Sequence, residues 1–400
     1  MGVSRTRLTN RRALVVNHLR SLQKGGLHDL NETHLSDPSR RRSEAEEIMR
    51  IGVIPESAEE RQALEAGMVP TPLFETQLAF TLAQVVMVGA QLGVFDALAD
   101  ERATAAQVAE RCGTHPEATG KLLLALAGAG YVQGDGESYE LTTLARTWLV
   151  RESPHCITDK LLFQFHEWDL MAGSADYVRT GRPAEVHEHM SDQQWGLYQR
   201  GMRAMAAAPA QEAAQLIPVP ADARTLLDIG GSHGYYSVAL CRRHPGLRAV
   251  VLDLPEALQH AAPLLAAEKM GDRVTHREGD VLNDDLGTDA YDIVLMVSVA
   301  HHFSADENHA LAQRAARALR PGGVFVVVEP FRVDPAGDIS QFGALTEFYF
   351  GLTSSAGTWS HGEIAEWQRQ AGLAPAAPTT LANAGFGIQS AAKPVHRTRS

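Results

Sequence analysis

The stretch TLLDIGGSHGYY, residues 225–236, decides the fold, because it predicts a β-strand, a glycine-rich turn and a helix in direct succession. A short apolar run leads to Asp228, the turn contains Gly230, Gly231 and Gly234, and SVALCRRH continues as a helix. Glycines lack a β-carbon, so the backbone can come close to a ligand, and the first free N–H groups of the helix can point at it. The pattern favours a binding site for a polar ligand, although a tight turn without a ligand has the same local signature.

Further strand patterns follow, and most of them end in an acid. They are RAVVLDL (248–254), RVTHREGD (273–280), YDIVLMVSV (291–299) and RPGGVFVVVEP (320–330). The nearly continuous apolar character of residues 291–299 is typical of a strand that is buried on both faces. Asp253 lies 25 residues after Asp228, and an acid at this place accepts hydrogen bonds from ribose hydroxyls in nucleoside-binding α/β folds. The chain is therefore predicted to be an α/β protein with a doubly wound sheet.

The order of these motifs resembles a known family. The motifs DIGGSHG, VLDLP, GDVL, HHFSADE and LRPGGVFVVVEP follow one another in this chain. Their order closely resembles that of the S-adenosylmethionine-dependent O-methyltransferases of the plant caffeate and bacterial antibiotic-tailoring type, and the resemblance covers residues 68–394. It implies a class I methyltransferase Rossmann-like sheet preceded by an all-α winged-helix dimerisation domain. It also implies a homodimer that acts on a small-molecule substrate.

The resemblance implies S-adenosylmethionine as co-substrate and assigns the residues that bind it. Gly230, Gly231 and Gly234, together with Asp228, would hold the methionine part, Asp253 with Leu254 the ribose, and Asp280 with Val281 the adenine. Among the residues expected to contact the cofactor, the chain departs from the family at two places. Val297 stands where a lysine is expected, and Ser232 replaces a glycine of the turn.

Histidine is suited to the proton transfer that methylation of a hydroxyl requires. A phenol or enol with a pKa near 10 loses its proton as it attacks, and a histidine with a pKa near 6.5 can accept that proton at neutral pH. The resemblance aligns His301 with the general base and Glu329 with the carboxylate that orients it. His302 stands where the family usually has an acid, and no acid lies between Glu347 and Glu363, where a second flanking carboxylate is expected. A histidine that only caps the loop is the alternative.

Aromatic residues between about 156 and 215 predict a helical connector that lines a substrate pocket. The candidates for the pocket are Phe163, Trp168, Tyr198, Met202 and His302, and aromatic residues on a helix over 341–351, Phe350 among them, are candidates to close it. Ordinary core packing explains any one of them equally well. The resemblance suggests a hydroxyl of an aromatic or polyketide-type specialised metabolite as the acceptor.

Metal chemistry is an alternative, because His301 and His302 are adjacent and relatives of this fold include metal-assisted C-methyltransferases of keto acids. On an extended loop, adjacent side chains point in opposite directions, so only one histidine is expected to reach a given site. No dense group of metal ligands accompanies the pair. The sequence predicts no metal site.

The region 67–155 has a winged-helix pattern. A helix over 74–92 is expected to turn Leu78 and Leu82 toward one face, two capping boxes begin at Thr104 and Thr114, and a hairpin spans residues 132–141. A DNA-binding regulator is therefore an alternative, but the candidate recognition helix offers only Lys121 as a cation. A relative that binds the cofactor without transferring a methyl group is another.

Composition sets the outer limits of the prediction. The 400 residues carry a net charge of −12, which disfavours nucleic acid as a partner. Three cysteines suit a reducing cytoplasm, and the absence of an 18-residue apolar run predicts no membrane span.

Residues 1–66 are expected to form a poorly ordered basic extension, for which a surface-binding arm is the alternative. The predicted domains then follow at 67–155, 156–215 and 216–394, with a tail over 395–400.

Overall fold

The computed structural model describes residues 54–55, 57–68, 70–184, 186–187, 190–332, 341–354, 356–382 and 386–395. The expected extension over 1–66 and the tail over 395–400 lie mostly outside these residues. Within the extension, Ala58–Glu65 forms helix α1. Ser57 caps this helix, because its hydroxyl accepts a hydrogen bond from the backbone N–H of Glu60 at 3.1 Å.

The region after α1 forms a small helical domain with a three-stranded sheet. Its elements are α2 (Thr71–Gln91), α3 (Val94–Ala97), β1 (Ala103–Thr104), α4 (Ala105–Cys112), α5 (Pro116–Gly128), β2 (Val132–Gly134), β3 (Ser138–Leu141) and α6 (Thr143–Trp148). The strands pair antiparallel in the order β1-β3-β2, so the expected hairpin is present. The buried core of this domain includes Phe95, Leu123 and Leu126.

One of the two expected capping boxes is present, and the other is wrong. Thr104 accepts from the N–H of Gln107 and caps α4 as predicted. Helix α5 instead begins at Pro116, with no side-chain cap, and the Oγ1 atoms of Thr114 and Thr119 hydrogen-bond to each other at 2.7 Å. Proline is favoured at the first helical position, because its missing N–H and fixed φ angle suit that place, and it moves the start of the helix past the threonine.

The face of α2 that carries Leu78 and Leu82 is only partly buried. Val86 is buried, but Leu78 and Leu82 are 49% and 46% exposed in the single chain. Phe80, between them, is 60% exposed. An amphipathic pattern identifies an apolar face without identifying what covers it, so this part of α2 has an apolar surface that the chain itself leaves open.

Four helices connect this domain to the sheet. They are α7 (Thr158–Ala172), α8 (Ser174–Thr180), α9 (Asp192–Met205) and α10 (Ala207–Leu216). Helix α9 packs along α7, and α7 also packs against α2. Ser191 caps α9 through a capping box with Gln194. The connector therefore contacts both the small domain and the region that carries the sheet.

The second domain alternates strands and helices. Its elements are β4 (Thr225–Ile229), α11 (Tyr235–Arg243), β5 (Arg248–Asp253), α12 (Pro255–Ala267), β6 (Val274–Glu278), β7 (Tyr291–Val297), α13 (Ala305–Ala318), β8 (Leu319–Glu329), α14 (Gln341–Thr353), α15 (His361–Gln370), β9 (Ala374–Pro375), β10 (Thr379–Thr380) and β11 (Gly387–Ala392). Short 3₁₀ turns lie at Gly271–Arg273 and Ala300–His302. None of the helices in the described ranges is long and apolar enough to cross a membrane.

The predicted doubly wound sheet is confirmed, with a mixed strand direction. The order is β10-β11-β8-β7-β4-β5-β6, in which β4 to β8 are parallel and β11 runs antiparallel to β8. Leu226 and Leu227 belong to apolar clusters on opposite faces, as the two-residue period of a strand requires. The carboxyl ends of β4, β5, β7 and β8 meet at one edge, where open α/β sheets bind ligands.

Candidate functional site

The glycine turn after β4 is too close to its neighbours for side chains. Gly230 has a φ of +64°, and a β-carbon on it would lie 2.7 Å from Cγ2 of Val299. A β-carbon on Gly231 would lie 2.5 Å from the carboxyl carbon of Asp228. Gly234 follows as the N-cap of α11. The turn therefore presents bare backbone at the carboxyl edge of the sheet.

Asp228 lies beneath this turn and is 1% exposed. Its Oδ2 accepts a hydrogen bond from Oγ of Ser237 at 2.7 Å, whereas its buried Oδ1 has no partner among the described residues. Burial raises the pKa of Asp228 to about 7. A buried oxygen without a partner is costly and is usually satisfied by a ligand or a bound water.

Asp253, at the end of β5, faces the same turn. Its Oδ2 accepts from the N–H of Ser232 at 2.7 Å, and its Oδ1 accepts from the N–H of Leu254 at 2.7 Å. Burial raises the pKa of Asp253 to about 6. Each carboxylate oxygen has a second lone pair, so the group can accept further hydrogen bonds from a ligand.

Ser232 links the turn to helix α9. It has a φ of +53° although it is not a glycine, and its hydroxyl donates to Oε1 of the buried Gln199. The ring of His276 hydrogen-bonds to the carbonyl of Ser232 at 2.9 Å. Sequence reasoning missed Gln199, although it directly follows the predicted Tyr198.

The loop after β6 carries Asp280 and Val281 beside Asp253. The N–H of Gly279 donates to the carbonyl of Asp253 at 3.0 Å. Oδ1 of Asp280 accepts from the N–H of Leu282 at 2.8 Å, and Val281 is buried. The predicted cofactor residues are thus brought together at the ends of β4, β5 and β6.

The next two strands bring His301 and Glu329 together. Nδ1 of His301 lies 2.9 Å from Oε2 of Glu329, and both residues are buried. Oε1 of Glu329 accepts from the N–H groups of Val299 and Ala300, each at 2.6 Å. A carboxylate oxygen accepts in such a contact, so Nδ1 of His301 is the donor, and in the neutral ring Nε2 is then the acceptor.

The 3₁₀ turn that carries His301 is fixed by side chains from two other elements. The carbonyl of Ala300 accepts from Nδ2 of Asn308 and from Nε1 of Trp359, each at 2.9 Å. The ring of Phe350 lies 3.9 Å from that of His301, centroid to centroid. Phe350, on α14, therefore packs directly against the candidate base.

The expectation that His301 and His302 point in opposite directions is wrong. Their ring centroids are 4.2 Å apart, because the two residues lie in a 3₁₀ turn and not on an extended loop. Nδ1 of His302 lies 3.1 Å from Oγ of Ser354. Burial is the main reason that the pKa of His302 lies well below its usual value. Sequence reasoning missed Ser354, which is 52 residues away from its partner.

His187 extends this group of rings. Its centroid lies 4.9 Å from that of His302 and 5.1 Å from that of Tyr198, and it stacks on Trp195 at 5.4 Å. Burial lowers the pKa of His187 to about 4. No sequence pattern marked His187, because it lies between two helices and reaches the base only through the fold.

The predicted pocket residues divide into two groups. Tyr198 packs against Phe163 at 5.3 Å and against His187, so both Tyr198 and Phe163 belong to the rings around the base. Met202 lies one turn further along α9 and is half-buried. Trp168 instead packs against Phe80 of α2, at 5.2 Å, where the connector meets the small domain.

The acids nearest in sequence to the expected second carboxylate are already paired. Glu347 accepts from the N–H and the hydroxyl of Thr358, and Glu363 pairs with Arg332 at 2.7 Å. Across the described ranges, no group of three or more histidine, cysteine or acidic side chains is placed to hold a metal ion.

We expect Asp228→Asn to change how stability depends on pH. Because the pKa of Asp228 rises from 3.8 to about 7 on folding, its stabilising contribution is complete below pH 3.8 and is lost as the pH rises through 7. The parent should therefore lose roughly 2–4 kcal/mol of unfolding free energy relative to the variant between pH 4 and pH 8. Urea unfolding of the ligand-free protein measures this, with the exposed Asp222→Asn as control. A difference that does not vary with pH would contradict the assignment.

Comparison with known proteins agrees with this geometry. Residues 74–151 match the family model of the O-methyltransferase dimerisation domain, and residues 177–372 match that of the O-methyltransferase domain. Acetylserotonin O-methyltransferase from Bos taurus is 30% identical over 295 residues, which cover 68% of this chain and 82% of that protein. The tetracenomycin polyketide synthesis 8-O-methyltransferase TcmO from Streptomyces glaucescens is 26% identical, over 78% of this chain and 96% of that protein.

A solved structure shares the fold. Human N-acetylserotonin methyltransferase in complex with S-adenosylmethionine superposes with a TM-score of 0.73 at 19% identity, over 86% of this chain and all of that chain. At this identity the likeness concerns the fold alone. The two family matches and the bovine relative establish the rest: this chain belongs to the S-adenosylmethionine-dependent O-methyltransferase family.

Proposed function

We propose that the protein transfers a methyl group from S-adenosylmethionine to a phenolic or enolic hydroxyl of a small aromatic or polyketide-type metabolite, with His301 as general base. The observation that carries this proposal is the buried pair of His301 and Glu329. It lies beside the glycine turn, since Val299, two residues before His301, is the residue that a β-carbon on Gly230 would strike. The name of the Streptomyces relative supports a polyketide-type acceptor.

The residues at the strand ends fit the proposed co-substrate. The turn at Gly230 and Gly231 packs too closely against Val299 and Asp228 to admit side chains, so its backbone is bare. Asp253 keeps a lone pair on each oxygen for ribose hydroxyls. Gly230, Gly231 and Gly234 with Asp228 would hold the methionine part, Asp253 with Leu254 the ribose, and Asp280 with Val281 the adenine. When bound, the sulfonium supplies a methyl group that is already strongly electrophilic.

The protein's own contribution is to place the acceptor and take its proton. Glu329 keeps the proton of His301 on Nδ1, so Nε2 can accept the proton of the hydroxyl as the oxygen attacks. The carboxylate then stabilises the imidazolium that forms. Positioning of this kind contributes on the order of 7 kcal/mol or more in favourable cases, and the general base contributes about 10²–10⁴-fold.

The proposed acceptor pocket uses Phe163, Tyr198, Met202 and His302, and Trp168 at its border with α2. Support comes from the continuous ring contacts that join Phe163 and Tyr198 to His187, and His187 to His302 beside the base. Such a wall is aromatic, which suits a flat aromatic molecule.

The proposed assembly is a homodimer in which α2 packs against a second copy. Residues 74–151 match a dimerisation domain, and Leu78 and Leu82, which lie on one face, leave an apolar surface open on α2. Burying such side chains is worth about 1.5–3 kcal/mol each. Contact with a second copy would bury the apolar side chains that one chain leaves exposed.

The double variant Leu78→Glu, Leu82→Glu should therefore be a monomer. Charges in an apolar interface remove its driving force, so sedimentation should give a mass near 43.3 kDa and not twice that value. Val178→Glu, at an exposed valine of α8, is the matched control and should sediment as the parent does. A dimeric double variant would refute this interface.

Asp253→Asn should weaken binding of S-adenosylmethionine. The amide cannot accept on both sides, so about 10–100-fold of affinity should be lost, as for hydrogen bonds to a charged group. Calorimetric titration of metal-stripped protein measures the affinity. His301→Ala is the control and should bind as the parent does, because His301 acts on the acceptor. Absence of binding by the parent would overturn the proposed function.

Glu329→Gln should reduce kcat by about 10²–10⁴-fold with little change in cofactor affinity. The glutamine oxygen can still accept from Val299 and Ala300, which turns its NH₂ group toward Nδ1 of His301. Nδ1 must then accept, so the proton moves to Nε2 and the base is lost. Single-turnover kinetics with a phenolic acceptor measures this change. A variant that turns over within about twofold of the parent would contradict the role of the pair.

A further inference from the structure

The turn that carries the candidate base also carries His302, and the hydrogen bond of this second ring indicates which of its nitrogens carries the proton. Ser354 is buried, and its hydroxyl has one hydrogen-bond partner among the described residues, Nδ1 of His302 at 3.1 Å. A buried hydroxyl that leaves its hydrogen without an acceptor is costly. Donation by the Ser354 hydroxyl to Nδ1 of His302 is the arrangement that gives this hydrogen an acceptor.

The proton of His302 must then be on its other nitrogen. A neutral imidazole carries one proton, and Nδ1 is an acceptor here, so Nε2 is the N–H donor. Burial, with His301 and His187 close by, disfavours the charged form of the ring and supports the neutral state. His301 has the opposite tautomer. Its Nδ1 donates to Glu329, so its Nε2 accepts.

Both Nε2 atoms are available to a ligand. Neither has a hydrogen-bond partner in the described part of the chain, and neither belongs to the polar atoms that are sealed in the interior without one. The two rings are 4.2 Å apart. One small region of the pocket thus offers an acceptor, Nε2 of His301, beside a donor, Nε2–H of His302.

His302 offers a hydrogen-bond donor where the family usually has an acid, which offers an acceptor. A carboxylate there would accept hydrogen bonds and repel the lone pairs of a nearby oxygen, whereas the N–H of His302 attracts them. The adjacent His187 is also kept neutral by burial, with its pKa lowered to about 4. A neutral N–H donor suits a ligand with a neutral carbonyl. A ligand with a carboxylate suits it less, because a buried carboxylate needs a cation.

We propose that the methyl acceptor has a carbonyl oxygen beside the reacting hydroxyl, and that Nε2–H of His302 binds this carbonyl while Nε2 of His301 takes the hydroxyl proton. The substrate class is the ortho- or peri-hydroxy aryl ketone, quinone or enol of a 1,3-dicarbonyl. His302 with Ser354 thereby determines acceptor specificity. This inference rests on the proposed function, because it takes His301 as the base.

The tautomer is tested without any methyl transfer. In full-length protein labelled with ¹⁵N in the histidine rings, the resonances of His302 should show a protonated Nε2 and an unprotonated Nδ1. His302→Gln assigns the signals by their loss. Ser354→Ala should allow the other tautomer to appear. A protonated Nδ1 in the parent would overturn the inference.

The acceptor class is tested by binding of two isomers to protein loaded with S-adenosylhomocysteine. In 1-hydroxyanthraquinone a carbonyl lies beside the hydroxyl, and in 2-hydroxyanthraquinone it does not. The parent should bind the 1-isomer more tightly, and His302→Phe should reduce the ratio of the two affinities by about tenfold, the value of one hydrogen bond. His302→Gln, which keeps an N–H donor of similar reach, should retain the ratio within about threefold.

The outcomes separate this inference from the function beneath it. An unchanged affinity ratio in His302→Phe, or no binding of the 1-isomer to the parent, would overturn the acceptor class, even if the parent methylates other phenols. Absence of methyl transfer to every phenol tried, with the tautomer and the affinity ratio as expected, would instead contradict the general-base reaction.

Discussion

Glu329 has three structural roles at one point of the fold. It ends β8, it accepts from two backbone N–H groups at the start of the 3₁₀ turn, and it holds the ring of His301. A buried carboxylate with fewer partners would be costly, and here each oxygen has at least one donor. The pairing of β7 with β8 brings these donors within reach, because the parallel register sets Val297 opposite Val328. The candidate base is therefore oriented by the sheet itself and not by a mobile loop.

The same device recurs at the glycine turn. Asp253 uses one lone pair on each oxygen for backbone N–H groups, which fixes the carboxylate before any ligand arrives. The turn at Gly230 and Gly231 leaves no space for a side chain. Preorganised polar groups of this kind need little rearrangement on binding, and a protein spends stability on them in return for function.

Much of this architecture follows from local sequence, and the parts that do not follow depend on distant residues. Apolar runs ending in acids predicted the strands correctly, since burial on both faces of a parallel sheet imposes that pattern. The capping box at Thr104 was confirmed because a cap involves only neighbouring residues. At Thr114 the prediction failed, because a proline two residues later begins the helix instead.

The 3₁₀ turn of His301 and His302 depends on Asn308 and Trp359. The contact of His302 with Ser354 joins residues that are 52 positions apart. No local pattern could therefore reveal either feature.

The hydrogen bond between Ser232 and Gln199 has a consequence for how the two substrates would influence each other. It ties the turn after β4 to α9, and the residue before Gln199 is Tyr198, which packs among the rings that lead to His301. A ligand that orders the turn would restrain α9 through this contact, and a ligand that orders α9 would restrain the turn. In thermodynamic terms such a link is reciprocal: whatever free energy one ligand contributes to the binding of the other is returned in equal measure.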